Sequence, residues 1–476
     1  MEKLTRKAHQ KIAEFYAKSA GNLLMPEAGI WTYLQDSEQI LIDLINRVRP
    51  PDDAPGSIEF GPVLYVANND VSVATRDFLR RMGMPPSKIT PQEWQAFLND
   101  IGKAPGLVAG DGTLYIEGVP YAQLDPNWIE LSLVYCIFYR TFPNDRYPFV
   151  FSPVVSPSAP VISIPSTTSL TVAVMGDWGT GAWQDGSYNA PAVLVGNAIR
   201  RLDPAPMITM HLGDVYYAGI AFEESLNLLQ NFPQGSKYNF TLNSNHEMYD
   251  GANGYFKTAL SDKTIFSAQN GHSYFAVKFA DWVILGLDSA YFDNRNFMYM
   301  DGELVDAHQH DFIRSLGITP QQKVLVFTHH NGLRIDGNKV SPPSSGTPLF
   351  DQLCNFLGKR APDVWYYGHV HNGVVYNQSA PGVQAYVTKS GLHPMVRCMG
   401  HGSIPYGLGY QVAESAQNFD YYVNTPMPKG NPVQANRLLN GFALLTLSNG
   451  TIKEDVYEVP SNGSPALRKW TKTTAF

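Results

Sequence analysis

LTVAVMGDWGTG, residues 170–181, is the stretch that decides the fold. A short apolar run, LTVAVM, ends at a glycine that is followed by Asp177 and a further glycine-rich turn. An apolar run of this length, closed by turn residues, predicts a buried strand. The turn would present the carboxylate of Asp177 at the carboxyl end of that strand.

The same pattern, an apolar run followed by a polar turn, repeats along the chain after residue 170. Short apolar runs that end in polar loops alternate with helical stretches, as in the runs 170–177 and 207–214 and the helical stretches 191–202 and 222–232. Strands that alternate with helices favour α/β layering. Residues 441–459 read as a hairpin with Asn-Gly at its turn.

Upstream of residue 170 the pattern is different. Residues 1–150 are predicted to be mostly helical, with TPQEWQAFLNDIG (90–102) as the clearest helix, because a capping box precedes apolar residues at helical spacing. Residues 151–169 are rich in serine and proline and are predicted to be a connector. The sequence therefore predicts three regions: 1–150, 151–169 and 170–476.

Composition excludes several classes of protein. The net charge is -7 and no long basic run is present, so we expect no nucleic-acid or anionic-membrane partner. The three cysteines are far apart, which argues against a disulfide scaffold. The N-terminus lacks an apolar signal segment, and residues 128–139 are too short to span a bilayer and carry Glu130. We expect a cytoplasmic protein that does not bind membranes.

Polar side chains of metal-binding type follow five of the predicted strands. They are Asp177, Asp214, Asn245 with His246, His329 with His330, and His369 with His371. In an open α/β sheet, ligands bind in the crevice at the carboxyl ends of the strands. One such residue is weak evidence, because polar residues are common in loops, but the ordered set is hard to explain by folding needs.

These residue types suit one kind of chemistry. A carboxylate can bridge two cations, while imidazoles and an amide oxygen complete their coordination. Two metal ions about 3.5–4 Å apart can hold a phosphoryl group and activate a water. Phosphate esters need such help, because their uncatalysed hydrolysis is extremely slow.

The order of motifs resembles the calcineurin-like metallophosphoesterases and, among them, the purple acid phosphatases. The resemblance covers roughly residues 170–459 and rests on five blocks: Asp177-Trp178-Gly179, Gly213-Asp214-Val215-Tyr216-Tyr217, Ser244-Asn245-His246-Glu247, Val326-Phe327-Thr328-His329 and Gly368-His369-Val370-His371. Ser244 departs from the family pattern, which usually has glycine there. A two-metal hydrolase often has a histidine two places after the first aspartate, whereas this chain has Gly179.

The resemblance implies a four-layer α/β/β/α sandwich that holds a dinuclear metal centre. By the same comparison, Tyr217 replaces the missing histidine, and Fe(III) would be bound by Asp177, Asp214, Tyr217 and His371. Zn, Mn or Fe(II) would be bound by Asp214, Asn245, His329 and His369. The choice of His329 over its neighbour rests on the Val-x-x-His spacing.

The resemblance also implies a reaction. A metal-bound hydroxide would attack a small phosphate ester, a monoester by preference, and His246 would protonate the leaving oxygen. His330 is a second candidate catalytic residue, facing the substrate or supporting a ligand.

Three alternatives stay open at this point. The same metal core could serve a phosphodiesterase, or a nucleotide or protein phosphatase whose helical extension selects the substrate. The chain could also be a metal-binding scaffold without turnover.

Arg397, in a glycine-rich loop after the last motif, is a further candidate for phosphate contact.

Overall fold

The computed structural model describes most of the chain after residue 158 and one short segment before it. The described residues are 146–149, 159–166, 169–181, 190–216, 218–261, 264–293, 299, 301–304, 306–336, 339–341, 349–403, 413, 415–426 and 438–476. The predicted helices of residues 1–145 lie outside them.

Two mixed β-sheets form the framework of the described residues. The eight-stranded sheet has the order β1-β5-β6-β7-β10-β12-β11-β13. Its strands are β1 (Val161–Ile164), β5 (Phe275–Phe279), β6 (Trp282–Gly286), β7 (Lys323–Thr328), β10 (Val364–Tyr367), β11 (Gly373–Tyr376), β12 (Met395–Met399) and β13 (Phe419–Tyr422). Strands β6, β7, β10 and β12 run parallel to one another.

The six-stranded sheet has the order β16-β15-β14-β2-β3-β4. Its strands are β2 (Leu170–Met175), β3 (Ile208–His211), β4 (Tyr238–Thr241), β14 (Asn440–Ser448), β15 (Thr451–Val459) and β16 (Leu467–Ala475). Strands β2, β3 and β4 are parallel, and β14 and β15 form the predicted hairpin. A small pair, β8 (Arg334–Asp336) and β9 (Lys339–Ser341), stands apart from both sheets.

The helices are short. They are α1 (Pro191–Arg200), α2 (Ala221–Glu223), α3 (Asn245–Met248), α4 (Asp311–Ser315), α5 (Leu349–Phe356) and α6 (Pro381–Ser390). Helix α2 continues as a π-helical segment, Glu224–Leu229, and further π-helical segments span Tyr255–Ala259 and Asp306–His310. Single 3₁₀ turns span Ser267–Gln269 and Ala416–Asn418. None of the described helices is long and apolar enough to cross a membrane.

The core lies between the two sheets. Alternate residues of each strand point into it, because successive side chains of a strand face opposite sides of the sheet. Val172 and Val174 of β2 pack there in one cluster with Leu325 and Phe327 of β7. Side chains of the other parity face the helices, as where Trp365 stacks on Phe350 of α5 at 6.1 Å.

Helix α1 covers the six-stranded sheet at β14 and β15. The layers are therefore helix, sheet, sheet and helix, which confirms the predicted fold class. One detail differs from the prediction: Val161–Ile164 lies in the segment predicted as a connector, yet it pairs with β5 as an edge strand. The prolines at 160 and 165 flank this strand without interrupting it, which an edge strand tolerates.

Candidate metal centre

The predicted ligands follow the carboxyl ends of parallel strands in both sheets. Asp177 follows β2, Asp214 follows β3 and Asn245 follows β4, all in the six-stranded sheet. His329 follows β7, and His369 follows β10, in the facing sheet. Because parallel neighbours end at the same edge, all of these turns meet at one end of the sandwich.

Four of these residues have an unusual backbone conformation. Asp177, Asp214, His369 and His371 have φ values of 53°, 73°, 65° and 49°. The left-handed region costs a residue with a Cβ about 1–2 kcal/mol. Such strain persists where the surrounding structure imposes it, and it collects at functional sites. Turning these four side chains inward therefore costs the fold some of its stability.

One group of side chains, which we call the carboxylate pocket, consists of Asp177, Asp214 and His371. The Nε2 atom of His371 lies 3.2 Å from Asp177 Oδ1 and 3.8 Å from Asp214 Oδ2. One ligand atom from each of the three residues lies within 4.8 Å of the others. The two carboxylates are buried, and such a donor set suits a hard cation.

A second group, which we call the histidine pocket, consists of Asn245, His329 and His369. His329 Nε2 lies 2.8 Å from Asn245 Oδ1 and 3.2 Å from His369 Nδ1. Asn245 Oδ1 is also 3.2 Å from His369 Nδ1. Two imidazoles and an amide oxygen converge here on one point.

The carboxylate of Asp214 joins the two pockets. Its Oδ1 atom lies 3.2 Å from His329 Nε2, and its Oδ2 atom faces His371. Two hydroxyls hold its orientation: Ser244 donates to Oδ1 at 2.5 Å, and Tyr216 donates to Oδ2 at 2.7 Å. Each oxygen of this carboxylate is therefore directed at a different pocket.

The hydrogen bonds of His329 leave the lone pair of its Nε2 atom directed at the lone pairs of neighbouring oxygens. Its Nδ1 lies 2.7 Å from the carbonyl oxygen of Leu212, which can only accept, so Nδ1 carries the proton. Burial lowers the pKa of His329 to about 3, so the ring is neutral and Nε2 is unprotonated. That lone pair faces the oxygens of Asn245 and Asp214. Such an arrangement lacks a positive charge, and these donors fit a metal ion.

In the carboxylate pocket, protons supply part of the positive charge that a metal ion would bring. Burial, and then the charge of Asp214, raises the pKa of the Asp177 carboxyl to about 8. Burial alone would lower the pKa of His371, but hydrogen bonds to Asp177 and Asp214 outweigh it and raise this pKa to about 9. Near neutral pH this pocket holds protons that a metal would displace.

Asp214 is the charged member of the set. Burial by itself would raise the pKa of its carboxyl, but its polar neighbours lower it well below the usual value. Hydrogen bonds from the protonated His371 and Asp177 favour the ionised form of Asp214. Tyr216 and Ser244 also donate to its two oxygens.

Gly179 stands where two-metal hydrolases often have a histidine, and the structure leaves no room for a side chain there. A Cβ at this position would lie 2.5 Å from the carbonyl oxygen of Asp214 and 2.6 Å from Val215 Cα. The Gly179 N–H donates to the same oxygen at 3.1 Å. The missing ligand must therefore come from another segment.

Tyr217, the residue implied by the resemblance to fill that role, lies outside the described residues. Its neighbour Tyr216 is fully buried, and its hydroxyl reaches the carboxylate pocket. Sequence spacing gave no sign of this, because the +3 position after Asp214 drew attention to Tyr217. The one available signal was the presence of two adjacent tyrosines shortly after Asp214.

His246 and His330, the two candidate catalytic histidines, occupy different environments. His246 is the second residue of α3 and packs against Tyr216, with ring centroids 4.5 Å apart, so it borders the carboxylate pocket. The ring nitrogens of His330 contact Ser289 Oγ at 2.9 Å and the carbonyl oxygen of Tyr299 at 2.8 Å. His330 lies beside His329 and His369, but these contacts favour a supporting role over contact with substrate.

Arg397 is not in the site. Its guanidinium forms a buried pair with Glu454, with nitrogen–oxygen distances of 2.9 and 3.0 Å. The hypothesis that it contacts phosphate is therefore wrong, because β12 directs this side chain between the sheets toward β15.

Residues 170–373 match the family model for calcineurin-like phosphoesterases. No curated protein matches the chain.

Several solved structures are similar to this chain at low identity. GAP50, the anchor in the inner membrane complex of Plasmodium, is 13% identical, with 65% of this chain and 89% of that chain covered and a TM-score of 0.42. Purple acid phosphatase PPD1 from yellow lupin (Lupinus luteus) is 12% identical, with coverage of 67% and 55% and a TM-score of 0.42. PhoD is 11% identical, with coverage of 67% and 73% and a TM-score of 0.43.

The residues that match the family model begin at the first residue of β2 and end just after His371. They therefore contain every turn that contributes to the two pockets. Residues 170–373 are therefore a calcineurin-like phosphoesterase domain.

Proposed function

We propose that this protein hydrolyses phosphate monoesters at a dinuclear metal centre. The first metal would be held by Asp177, Asp214, His371 and a tyrosine, and the second by Asp214, Asn245, His329 and His369. Fe(III) in the first position and Zn, Mn or Fe(II) in the second suit these donors. When bound, such ions neutralise charge on the phosphoryl group and activate a water.

One observation carries this proposal. The lone pair of His329 Nε2 faces Asn245 Oδ1 at 2.8 Å and Asp214 Oδ1 at 3.2 Å, and the Leu212 carbonyl fixes the ring in that state. Buried acceptors that face one another are costly unless a cation lies among them. A packing role alone would not select this arrangement.

The protein's own groups prepare the site for that cation pair. Ser244 and Tyr216 donate to opposite oxygens of Asp214, so its carboxylate is held ionised and in a fixed orientation. Asn245 Nδ2 donates to the hydroxyl of Tyr249 at 3.0 Å, which turns the amide oxygen toward His329. Preorganisation of this kind reduces the cost of binding charge.

His246 is the residue that we propose protonates the leaving oxygen. It lies next to Asn245 in the chain, and its ring borders both Tyr216 and Tyr249 at centroid distances of 4.5 and 4.9 Å. This places an imidazole beside the two pockets without making it part of either donor set. His330 would act as a positioning residue, holding its neighbours through Ser289 and the Tyr299 carbonyl.

The preference for a monoester rests on the resemblance to purple acid phosphatases. The test is to load the full chain with Fe(III) and Zn, or with Mn, and to compare 4-nitrophenyl phosphate, bis(4-nitrophenyl) phosphate, a nucleotide and a phosphopeptide. We expect the monoester to be hydrolysed fastest, and we expect a chelator or Asp214→Asn to abolish turnover.

The other outcomes decide among the alternatives. Faster hydrolysis of the diester would replace the monoesterase assignment with a phosphodiesterase on the same core. Preference for the nucleotide or phosphopeptide would assign a more specialised phosphatase. A protein that holds two metal ions and hydrolyses none of these substrates would be a scaffold, and the proposal would fail.

A further inference from the structure

His330 is held at both of its ring nitrogens beside the histidine pocket. Its ring centroid lies 4.9 Å from that of His329 and 4.7 Å from that of His369. Its Nδ1 atom is 2.9 Å from Ser289 Oγ, and its Nε2 atom is 2.8 Å from the carbonyl oxygen of Tyr299. Because a carbonyl oxygen can only accept, Nε2 carries a proton and donates it there. The orientation of this ring therefore depends on where Ser289 and Tyr299 lie.

Ser289 belongs to a turn, residues 288–291, whose four side chains are all buried. The carboxylate of Asp288 accepts from the N–H groups of the third and fourth residues of the turn, each at 3.0 Å. It also accepts from Asn243 Nδ2 at 3.2 Å. The turn follows β6 of one sheet, and Asn243 follows β4 of the other. This turn therefore connects the two sheets at the end of the sandwich that carries the pockets.

Arg146 contacts this turn from a segment well before it in the chain. Its Nη2 atom donates to the carbonyl oxygen of Tyr291 at 2.5 Å, and its guanidinium lies 4.5 Å from the centroid of the Tyr291 ring. The guanidinium also lies 5.8 Å from the ring centroid of Tyr299. Tyr299 is buried with a φ of 55°, a conformation that persists where the surrounding structure imposes it. One side chain therefore contacts both structures that orient His330.

The segment that carries Arg146 is itself held against the turn. The Tyr147 N–H donates to the carbonyl oxygen of Gly251 at 3.0 Å, and the Tyr147 carbonyl accepts from the hydroxyl of Tyr291. Phe149 is buried, and its ring centroid lies 4.9 Å from that of Tyr291. Arg146 therefore approaches the turn from a fixed backbone.

We infer that Arg146 is a positioning residue of the proposed centre. By holding Tyr291 and Tyr299 it fixes the two groups that orient His330, whose imidazole packs against the pocket for the second metal. The inference rests on the proposed dinuclear centre. It adds a residue that precedes the stretch matching the family model.

A cobalt titration of the full chain tests this inference without reference to turnover. Co²⁺ bound by imidazoles absorbs visible light, and its bands change with coordination geometry. The binding phase that is lost in His329→Ala identifies the histidine pocket. We expect Arg146→Ala to weaken that phase by roughly 2- to 30-fold and to shift its bands, with the other phase unchanged.

Two comparisons show whether the effect passes through His330. In a His330→Ala background, Arg146→Ala should cause no further loss, because the ring through which it acts is gone. Lys257→Ala is the matched control, since it removes a cation that lies 5.8 Å from the ring centroid of Tyr147 in the same segment. It should bind Co²⁺ like the wild type.

Arg146→Lys serves if Arg146→Ala does not fold, because it keeps the charge and removes the planar guanidinium. The inference is overturned if the folded variant leaves the histidine-pocket phase unchanged, if both phases weaken equally, or if the loss persists in the His330→Ala background. A wild type that binds fewer than two Co²⁺ ions would instead remove the proposed centre, and this inference with it.

Discussion

At the scale of single residues, the site depends on one position where no side chain fits. Gly179 lies against the main chain of Asp214 and Val215, and neither contact can be relieved by rotating a side chain. Backbone approach of this kind fixes the distance between the turn after β2 and the turn after β3. Those turns carry Asp177 and Asp214, so the separation of the two carboxylates depends on it.

Gly179→Ala tests this role. We expect the added methyl group to separate the two turns, to lower the free energy of unfolding by about 1–3 kcal/mol and to weaken metal binding. Thermal melts and a metal titration would measure both effects. Gly196→Ala in α1 is a matched control, since its Cβ meets nothing closer than 3.4 Å. The control should be neutral or stabilising by up to about 1 kcal/mol. Wild-type metal affinity in Gly179→Ala would contradict this account.

His246 is tested by its dependence on the leaving group. General acid catalysis contributes roughly 10²–10⁴-fold, so His246→Ala should lower turnover of an alkyl phosphate by about that factor. The effect on 4-nitrophenyl phosphate should be smaller, because 4-nitrophenolate leaves without a proton. Metal content should stay at the wild-type value. An equal fall for both esters would assign His246 to substrate binding instead of proton transfer.

At the scale of elements, a buried ion pair connects the two sheets. Arg397 of β12 and Glu454 of β15 are both buried, and the hydroxyl of Tyr366 in β10 donates to the same carboxylate at 2.6 Å. The guanidinium also lies over the ring of Trp470 in β16 at 5.5 Å. The partners are therefore satisfied on several sides, which a buried charge requires.

Arg397→Met should unfold the protein more easily without changing its chemistry. Removing Arg397 leaves the buried Glu454 carboxylate without its ionic partner, which costs about 3–5 kcal/mol. Chemical denaturation would measure this loss, and the double variant Arg397→Met with Glu454→Gln should recover much of it. Activity per folded molecule should stay unchanged. Loss of phosphate hydrolysis at unchanged stability would restore the hypothesis that Arg397 contacts phosphate.

At the scale of the whole molecule, the sequence predicted the strands that carry the ligands. Runs such as 170–177 and 207–214 are apolar and end in Gly-Asp, and this pattern favours a buried strand over a helix or a loop. The Asn-Gly turn likewise determined the β14–β15 hairpin. Strand β1 was missed, because a run of only four residues between prolines carries no pattern that distinguishes an edge strand from a connector.

The positions of side chains in the site depend on contacts between residues that are far apart in the sequence, and a local sequence pattern does not contain such contacts. The position of the Tyr216 hydroxyl follows from the approach of Val215 to Gly179, and those residues are far apart in the chain. The partner of Arg397 lies 57 positions further on. Residue types and spacing identified the candidate ligands, whereas the direction of each side chain was determined by how the two sheets meet.

The protons of the carboxylate pocket make metal binding depend on pH. The pKa of Asp177 is raised to about 8 and that of His371 to about 9, so these groups stabilise the metal-free fold at low pH. That contribution is lost as the pH rises through those values, while a metal that must displace both protons binds more tightly. The apparent Kd for Mn should fall by tenfold or more per unit between about pH 6 and about pH 8.

A matched variant tests whether these protons cause the change of the apparent Kd for Mn with pH. Asp177→Asn removes one titrating group, so its Mn affinity should be weaker and should change less with pH. Calorimetric titration at several pH values, corrected for buffer ionisation, would also count the released protons. A wild-type affinity that does not change with pH would contradict the arrangement of protons in this pocket.

In the proposed centre, two metal ions would share the carboxylate of Asp214. Anomalous diffraction from crystals of the full chain grown with Fe(III) and Zn tests it most directly. We expect two peaks, one beside each oxygen of Asp214, with the Zn peak on the side of His329. A single peak, or two peaks that Asp214 does not touch, would contradict it.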